Sequence, residues 1–171
     1  MNPKPLFSER QKFSQWWLWL ILLGINGVFM YGIYTQVING RPFGDNPMSD
    51  QGLGIGFACV LLLTMLFYIL RLETIVTEDG VYVRFFPIAL KFRKYGWDEI
   101  DKAYVRTYSP LGEYGGWGIK GGFSSNGRAL NVSGSEGLQL ELKHNTKLLI
   151  GTRKPKELTE TLARINKGRT F

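Results

Sequence analysis

The chain has 171 residues, 21 basic against 14 acidic side chains for a formal charge of +7, 44% hydrophobic residues and a single cysteine. That is about one domain's worth of chain, too apolar for disorder and without the second cysteine that an internal disulfide needs. Its 21 glycines follow no three-residue period, which excludes a collagen-like repeat.

Residues 1–15 form a short N-terminal segment carrying Lys4, Arg10 and Lys12. No charged residue then occurs from Phe13 to Gly40, nor from Gln51 to Leu70. At 1.5 Å per residue, about 20 apolar residues cross the roughly 30 Å hydrocarbon layer of a bilayer. The two runs predict a membrane hairpin over 16–70, with spans at about 16–34 and 53–70. The first run is longer than a signal-peptide core, and no A-x-A-like site follows it, so an uncleaved anchor is expected. Trp16, Trp17 and Trp19 at one end and Tyr31 and Tyr34 at the other suit the headgroup level. Basic residues flank the outer ends, Lys4, Arg10 and Lys12 before and Arg71, Arg84, Lys91, Arg93 and Lys94 after, whereas the connecting loop holds only Arg41. The positive-inside rule then puts both termini in the cytoplasm of a two-pass protein of the cell (inner) membrane. Gly24 and Gly27 in the first span, and Gly52 and Gly56 in the second, offer small surfaces for helix packing, within the hairpin or in a dimer. Asn26 needs a hydrogen-bond partner at mid-span. Cys59 fits the second span as a small apolar residue.

From Arg71 the period changes to two. Val81, Val83 and Phe85 alternate with Tyr82, Arg84 and Phe86, and Leu138, Leu140 and Leu142 with Gln139, Glu141 and Lys143. Further strands are expected at Ile88–Tyr95, Ala103–Tyr108, Gly118–Phe123, Ala129–Ser133 and Leu148–Ile150, with turns at Glu78-Asp79-Gly80 and His144–Lys147. This makes seven or eight short antiparallel strands in a meander. Pro155 suits a helix's first turn, Leu158, Leu162 and Ile165 share one helical face, and Gly168 suits its end. The reading is a domain over 71–171, a bent antiparallel sheet or small barrel capped by a helix at about 155–167.

That order of parts resembles a pleckstrin-homology-like (PH-like) fold. It is also similar to uncharacterised prokaryotic membrane proteins in which a two-helix hairpin precedes a bacterial PH-like domain. The residues that carry the resemblance are Trp97–Ile100, the run Tyr108–Lys120 with EYGGWGIK, Leu130–Gly134, and LIGTRKPKEL at Leu149–Leu158. The resemblance implies a membrane α-helical hairpin plus a mainly-β PH-like domain. It implies no activity.

Gly116, Gly118 and Gly121 match GxGxxG, but no helix pattern follows, so a glycine-rich bend in a strand or a loop over 110–127 is expected rather than a nucleotide site. Trp117 and Phe123 there are either core residues or exposed anchors for lipid or a partner. His144 reads as a solvated turn residue. Asp98, Glu99 and Asp101 read as a solvated acidic cluster, short of the convergent oxygens a metal wants. No hydrolase, protease, kinase or metal motif occurs, so no enzyme activity and no cofactor are expected. Residues 71–171 hold 17 basic and 11 acidic side chains, hence +6 of the +7. Lys91, Arg93 and Lys94, with Arg153, Lys154 and Lys156, are candidate contacts for anionic headgroups or an acidic protein partner; the basic residues are too dispersed for a nucleic-acid module. The expected role is a membrane-anchored binding or scaffold module. The alternative is an accessory subunit of a membrane transporter or enzyme complex, docked through its hairpin.

Overall fold

A computed structural model describes residues 4–121, 126–143 and 145–167. The chain is mixed helix and sheet, divided into two compact units: Ser14–Ile69, and the remainder on either side of it.

The first unit is helical. α1 (Trp16–Ile33) runs on through a π-helical stretch, Tyr34–Ile38, and α2 spans Asp50–Ile69. Both helices are long and apolar enough to cross a membrane. They pack antiparallel. Trp19 meets Tyr68 edge to face at 6.4 Å, and Asn26 Nδ2 donates to Thr64 Oγ1 at 2.8 Å and to its own helix at Leu22 O, 2.7 Å. A Cβ on Gly56 would lie 2.6 Å from the Phe29 ring, so the small residue lets the helices close there. Gln36 organises the connection, donating to Met48 O and Asp50 Oδ1, both at 2.7 Å.

The second unit holds nine strands among the described residues. β1 (Phe7–Lys12), β2 (Arg71–Thr77), β3 (Gly80–Phe86) and β4 (Arg93–Gly96) form an antiparallel sheet in chain order. The N-terminal segment therefore does not stand apart as 1–15. Its strand pairs with β2 from Phe7↔Val76 to Lys12↔Arg71, and the helical unit is an insertion in the β1–β2 connection. One face of this sheet is buried, with Phe7, Leu72, Val76, Val81, Val83 and Phe85. Glu9 and Gln11 also lie on that face, and partners distant in sequence bind the Glu9 carboxylate and the Gln11 amide nitrogen. Glu9 accepts from Thr152 Oγ1 at 2.6 Å and Arg153 N at 2.8 Å, and Gln11 Nε2 donates to Gly151 O at 2.6 Å. Gly80, at φ 152°, closes the β2–β3 turn where a Cβ would meet Tyr95 O at 2.3 Å.

The second sheet corrects the expected meander. β5 (Ile100–Thr107), β6 (Gly118–Lys120), β7 (Arg128–Asn131), β8 (Glu136–Leu142) and β9 (Thr146–Gly151) are ordered β5-β8-β9-β7-β6, and β7 runs parallel to β9. The strand expected over Ile88–Tyr95 is only Arg93–Gly96, because the chain turns after β3 with Ala89 N bonded to Phe85 O at 2.8 Å. The described part of the 110–127 stretch, residues 110–121 and 126–127, is neither a plain loop nor one bent strand. Pro110 starts the short helix α3 (Pro110–Tyr114), capped by Ser109 Oγ accepting from Gly112 N at 3.1 Å, and the β6–β7 hairpin follows. α4 (Pro155–Lys167) packs Leu158, Leu162 and Ile165 against β5, β8 and β1.

Candidate functional site

The strand register of the first sheet gathers charge on its outward face. Paired residues share a face, and so do residues two apart along a strand. One row reads Lys12–Arg71–Phe86 across β1, β2 and β3, the next reads Arg10–Glu73–Arg84, and Tyr82 and Lys94 extend the same face onto β4. Glu73 is only 4% exposed because the arginines cover it. Arg10 Nε stands 2.8 Å and Arg71 Nε 3.0 Å from Glu73 Oε1, and Arg84 Nε donates to Oε2. Burial pushes the Glu73 carboxyl up, but the Arg84 hydrogen bond and the charges of Arg84, Arg10 and Arg71 outweigh it and hold the group below its ordinary value. The carboxylate therefore stays ionised, and the four groups together carry about +2 (three cations less one anion).

Aromatic rings hold the guanidinium planes. Arg71 lies 4.3 Å from the Phe86 centroid, and Arg84 lies 4.3 Å from that of Phe92 and 5.8 Å from that of Phe86. Arg84 also donates to Leu90 O at 3.1 Å, fastening the 87–92 turn to the cluster. On that turn Ile88 is 63% and Leu90 67% exposed, an unusual position for two branched aliphatic side chains beside so many cations.

The basic residues singled out from sequence divide between two places. Lys91, Arg93 and Lys94 are exposed on the 87–92 turn and β4. Lys94 extends over the Tyr82 ring at 5.8 Å, next to the arginine cluster. Arg153, Lys154 and Lys156 lie where β9 passes into α4. There Arg153 is a tie within the unit, donating to Ser133 Oγ at 2.8 Å and Lys12 O at 3.2 Å, and Lys154 pairs with Glu157 at 2.9 Å. Lys156 is exposed. Trp117 is half-buried, its Nε1 donating to Gly134 O at 3.2 Å, which does not suit a free anchor. Phe123 and His144 lie outside the described residues, as does Gly168.

The expected helix-packing residues also divide. Asn26 and Gly56 face the partner helix. Gly24 and Gly27 do not, since a Cβ on either meets nothing within 4 Å. The atoms nearest to a Cβ on Gly52 belong to Ser49 and Met48, near in sequence. Gly32, which the sequence reading passed over, is the other close approach, with Phe43 at 2.9 Å and Leu53 at 3.4 Å from its virtual Cβ.

Elsewhere the polar groups are structural. Arg106 grips Glu113 through both terminal nitrogens (3.2 and 2.7 Å) and reaches Tyr114 Oη at 3.2 Å, which straps α3 to β5. The hydrogen bond from Arg106 holds the Glu113 carboxyl below its ordinary value. Gly121, at φ 122° with Arg128 Cα 2.4 Å from its virtual Cβ, belongs to the tight β6–β7 end rather than to a phosphate loop. Among the described residues no group of three or more His, Cys, Asp or Glu could hold a metal. A cavity of about 230 Å³ in the helical unit is lined by Val28, Phe29, Phe43 and Leu53 among others and offers no reactive group. No family model, curated protein or solved structure matches the chain.

Proposed function

We propose that the chain is a two-span integral membrane protein, both termini cytoplasmic, whose β unit is a PH-like module that binds at the membrane surface and engages no substrate. The observation that carries this is the outer surface of the helical unit. Leu20, Ile21, Leu23, Ile25 and Val28 on α1, and Ile55, Leu62, Leu63, Met65 and Leu66 on α2, are exposed, a surface suited to hydrocarbon and costly in water. The basic outward face of the first sheet and the exposed Ile88 and Leu90 support the surface-binding half of the reading. The PH-like assignment has topological support. Strands β1–β4, then β5, β8 and β9, run antiparallel in succession and end in α4, if α3, β6 and β7 are counted as an insertion.

Alkaline carbonate washing of membranes from expressing cells tests the anchor: retention in the pellet is expected, and complete release overturns it. Single-cysteine labelling in a Cys59→Ala background tests the orientation. In intact cells a membrane-impermeant maleimide is expected to label Asn46→Cys, and to label Glu78→Cys only after permeabilisation; the reverse pattern refutes the topology.

A second reading, an accessory subunit docked by its helices, is favoured by the open space outside Gly24 and Gly27. It predicts a co-purifying multi-span protein that is lost in Gly24→Leu/Gly27→Leu, whereas a surface module keeps its behaviour in that variant.

A further inference from the structure

We propose that Arg10, Arg71 and Arg84, gathered on Glu73, form a site for the phosphodiester of an anionic lipid headgroup, with Ile88 and Leu90 entering the acyl-chain boundary beside it. The inference rests on the membrane reading of α1 and α2. Three guanidiniums on adjacent strands would repel one another; Glu73 holds them together yet neutralises only one of the three charges. A guanidinium has five N–H donors in a planar fork. Here the three Nε atoms stand at Glu73, the Phe86 ring lies against Arg71 and the Phe92 ring against Arg84, and each guanidinium carries further N–H groups besides the one at Glu73. Arg10 is the open member, its side chain 61% exposed. Phosphate oxygens match such forks two bonds at a time.

Two features select a lipid over free phosphate. The first is covalent. The chain enters α1 four residues after Lys12 and leaves α2 two residues before Arg71, and Lys12 and Arg71 are register partners. Extended chain reaches about 3.3–3.6 Å per residue, so spans that cross a bilayer keep this end of the sheet within headgroup range. The second is the 87–92 turn. It leaves β3 at Phe86, the partner of Arg71, and presents two exposed aliphatic side chains fastened to Arg84 through Leu90 O. Apolar wedge beside cation cluster is the composition that inserts at an interface; free phosphate makes no use of the wedge.

The test is native mass spectrometry of the full chain in detergent, titrated with phosphatidylglycerol, phosphatidylcholine or inorganic phosphate. One phosphatidylglycerol is expected to be retained in preference to phosphatidylcholine. Arg10→Gln is expected to lower its retention about fivefold, the worth of one basic residue held at an anionic surface, and Ile88→Ser/Leu90→Ser to lower it as well. Lys102→Gln, on β5, should leave it unchanged. Equal retention of the two lipids, or an Arg10→Gln variant that matches the parent, overturns the proposal. Displacement of the lipid by an equal concentration of inorganic phosphate makes this a free-phosphate site and refutes the lipid assignment. Arg84→Gln removes a partner of Glu73 and of Leu90 O and risks the fold, so the exposed Arg10 carries the decision. Retention is read in detergent, so failure here leaves the carbonate result intact, and release by carbonate does not alter the lipid preference measured here.

Discussion

The helical unit and the β unit sort polar and apolar side chains in opposite directions. In the helical unit most of the large apolar residues are exposed, Leu22 and Leu53 excepted, and the side chain most hidden among the polar ones is Asn26, bonded to Thr64. In the β unit Leu72, Leu138, Leu140 and Leu149 are hidden completely, and the outward face of the first sheet carries arginine and lysine. A single averaged hydrophobic content of 44% merges these two opposed arrangements into something that looks like an ordinary globular protein. On the proposed membrane reading, solvent explains the reversal. Hydrocarbon outside would reward no apolar burial between helices, so contact there would depend on close approach and hydrogen bonds, while water outside makes apolar burial the main drive of the β unit.

Matched leucines should break or confirm that contrast with the largest effect. Leu140→Ala empties a fully buried site on β8 and is expected to cost about 2–5 kcal/mol in unfolding of the β unit. Leu62→Ala, on the exposed side of α2, should stay within about 0.5 kcal/mol. Leu62→Lys reverses the ranking in a different assay, lowering membrane insertion by about 3 kcal/mol at a helix centre. Similar costs for the two alanine variants in detergent unfolding would refute the contrast.

Helix pairing offers a smaller effect. Gly56→Ala places a methyl group against the Phe29 ring, and about 1–3 kcal/mol of overpacking is expected unless the ring turns aside. Asn26→Ala removes the bond to Thr64, worth about 1–2 kcal/mol in model helices. Gly24→Ala meets open space and should leave α1–α2 crosslinking unchanged. Crosslinking yield between cysteines placed on the two helices measures all three variants, and a Gly24→Ala effect as large as that of Gly56→Ala would sink the assignment of faces.

How much of this was readable in the sequence depends on where each signal lies. The two charge-free runs, the alternation of β3, and the Leu158–Leu162–Ile165 face of α4 are local, and they appear as expected. By contrast, β8 is found as a strand but buries Gln139 together with Leu138 and Leu140, because it pairs with β5 on one side and β9 on the other. β1 stayed hidden because its inward residues are Phe7, Glu9 and Gln11, and the last two read as surface residues until Gly151, Thr152 and Arg153 meet them some 140 residues later. The parallel β7–β9 pair has no local signature. α3 had one, Ser109 followed by Pro110, obscured by the glycines around it. The arginine cluster escaped because Arg10, Arg71 and Arg84 are far apart in the chain and meet only through register. Sequence runs of basic residues pointed instead to Arg153 and Lys154, which are engaged with Ser133 and Glu157.

Acid pH offers the smallest effect and the sharpest separation of roles. The Glu73 carboxyl is held below its ordinary value of 4.5 in the fold. Its stabilisation is therefore full above the unfolded-state value and is lost as pH falls through the lower folded one. The melting temperature should be level down to about pH 5 and decline below it. Glu73→Gln has lost that contribution already, so it melts lower at neutral pH and the gap to the parent closes in acid. Glu113 is held down by Arg106 and contributes in the same window, so the variant's decline is shallower rather than absent. Lipid retention should move the other way. Protonating Glu73 removes the anion that gathers the three guanidiniums, and a bound phosphodiester then takes over that role, meeting about +3 instead of +2. Stability falling while phosphatidylglycerol retention rises is the pattern of a headgroup site. An ion cluster that only braces the sheet loses stability in acid with no gain in retention.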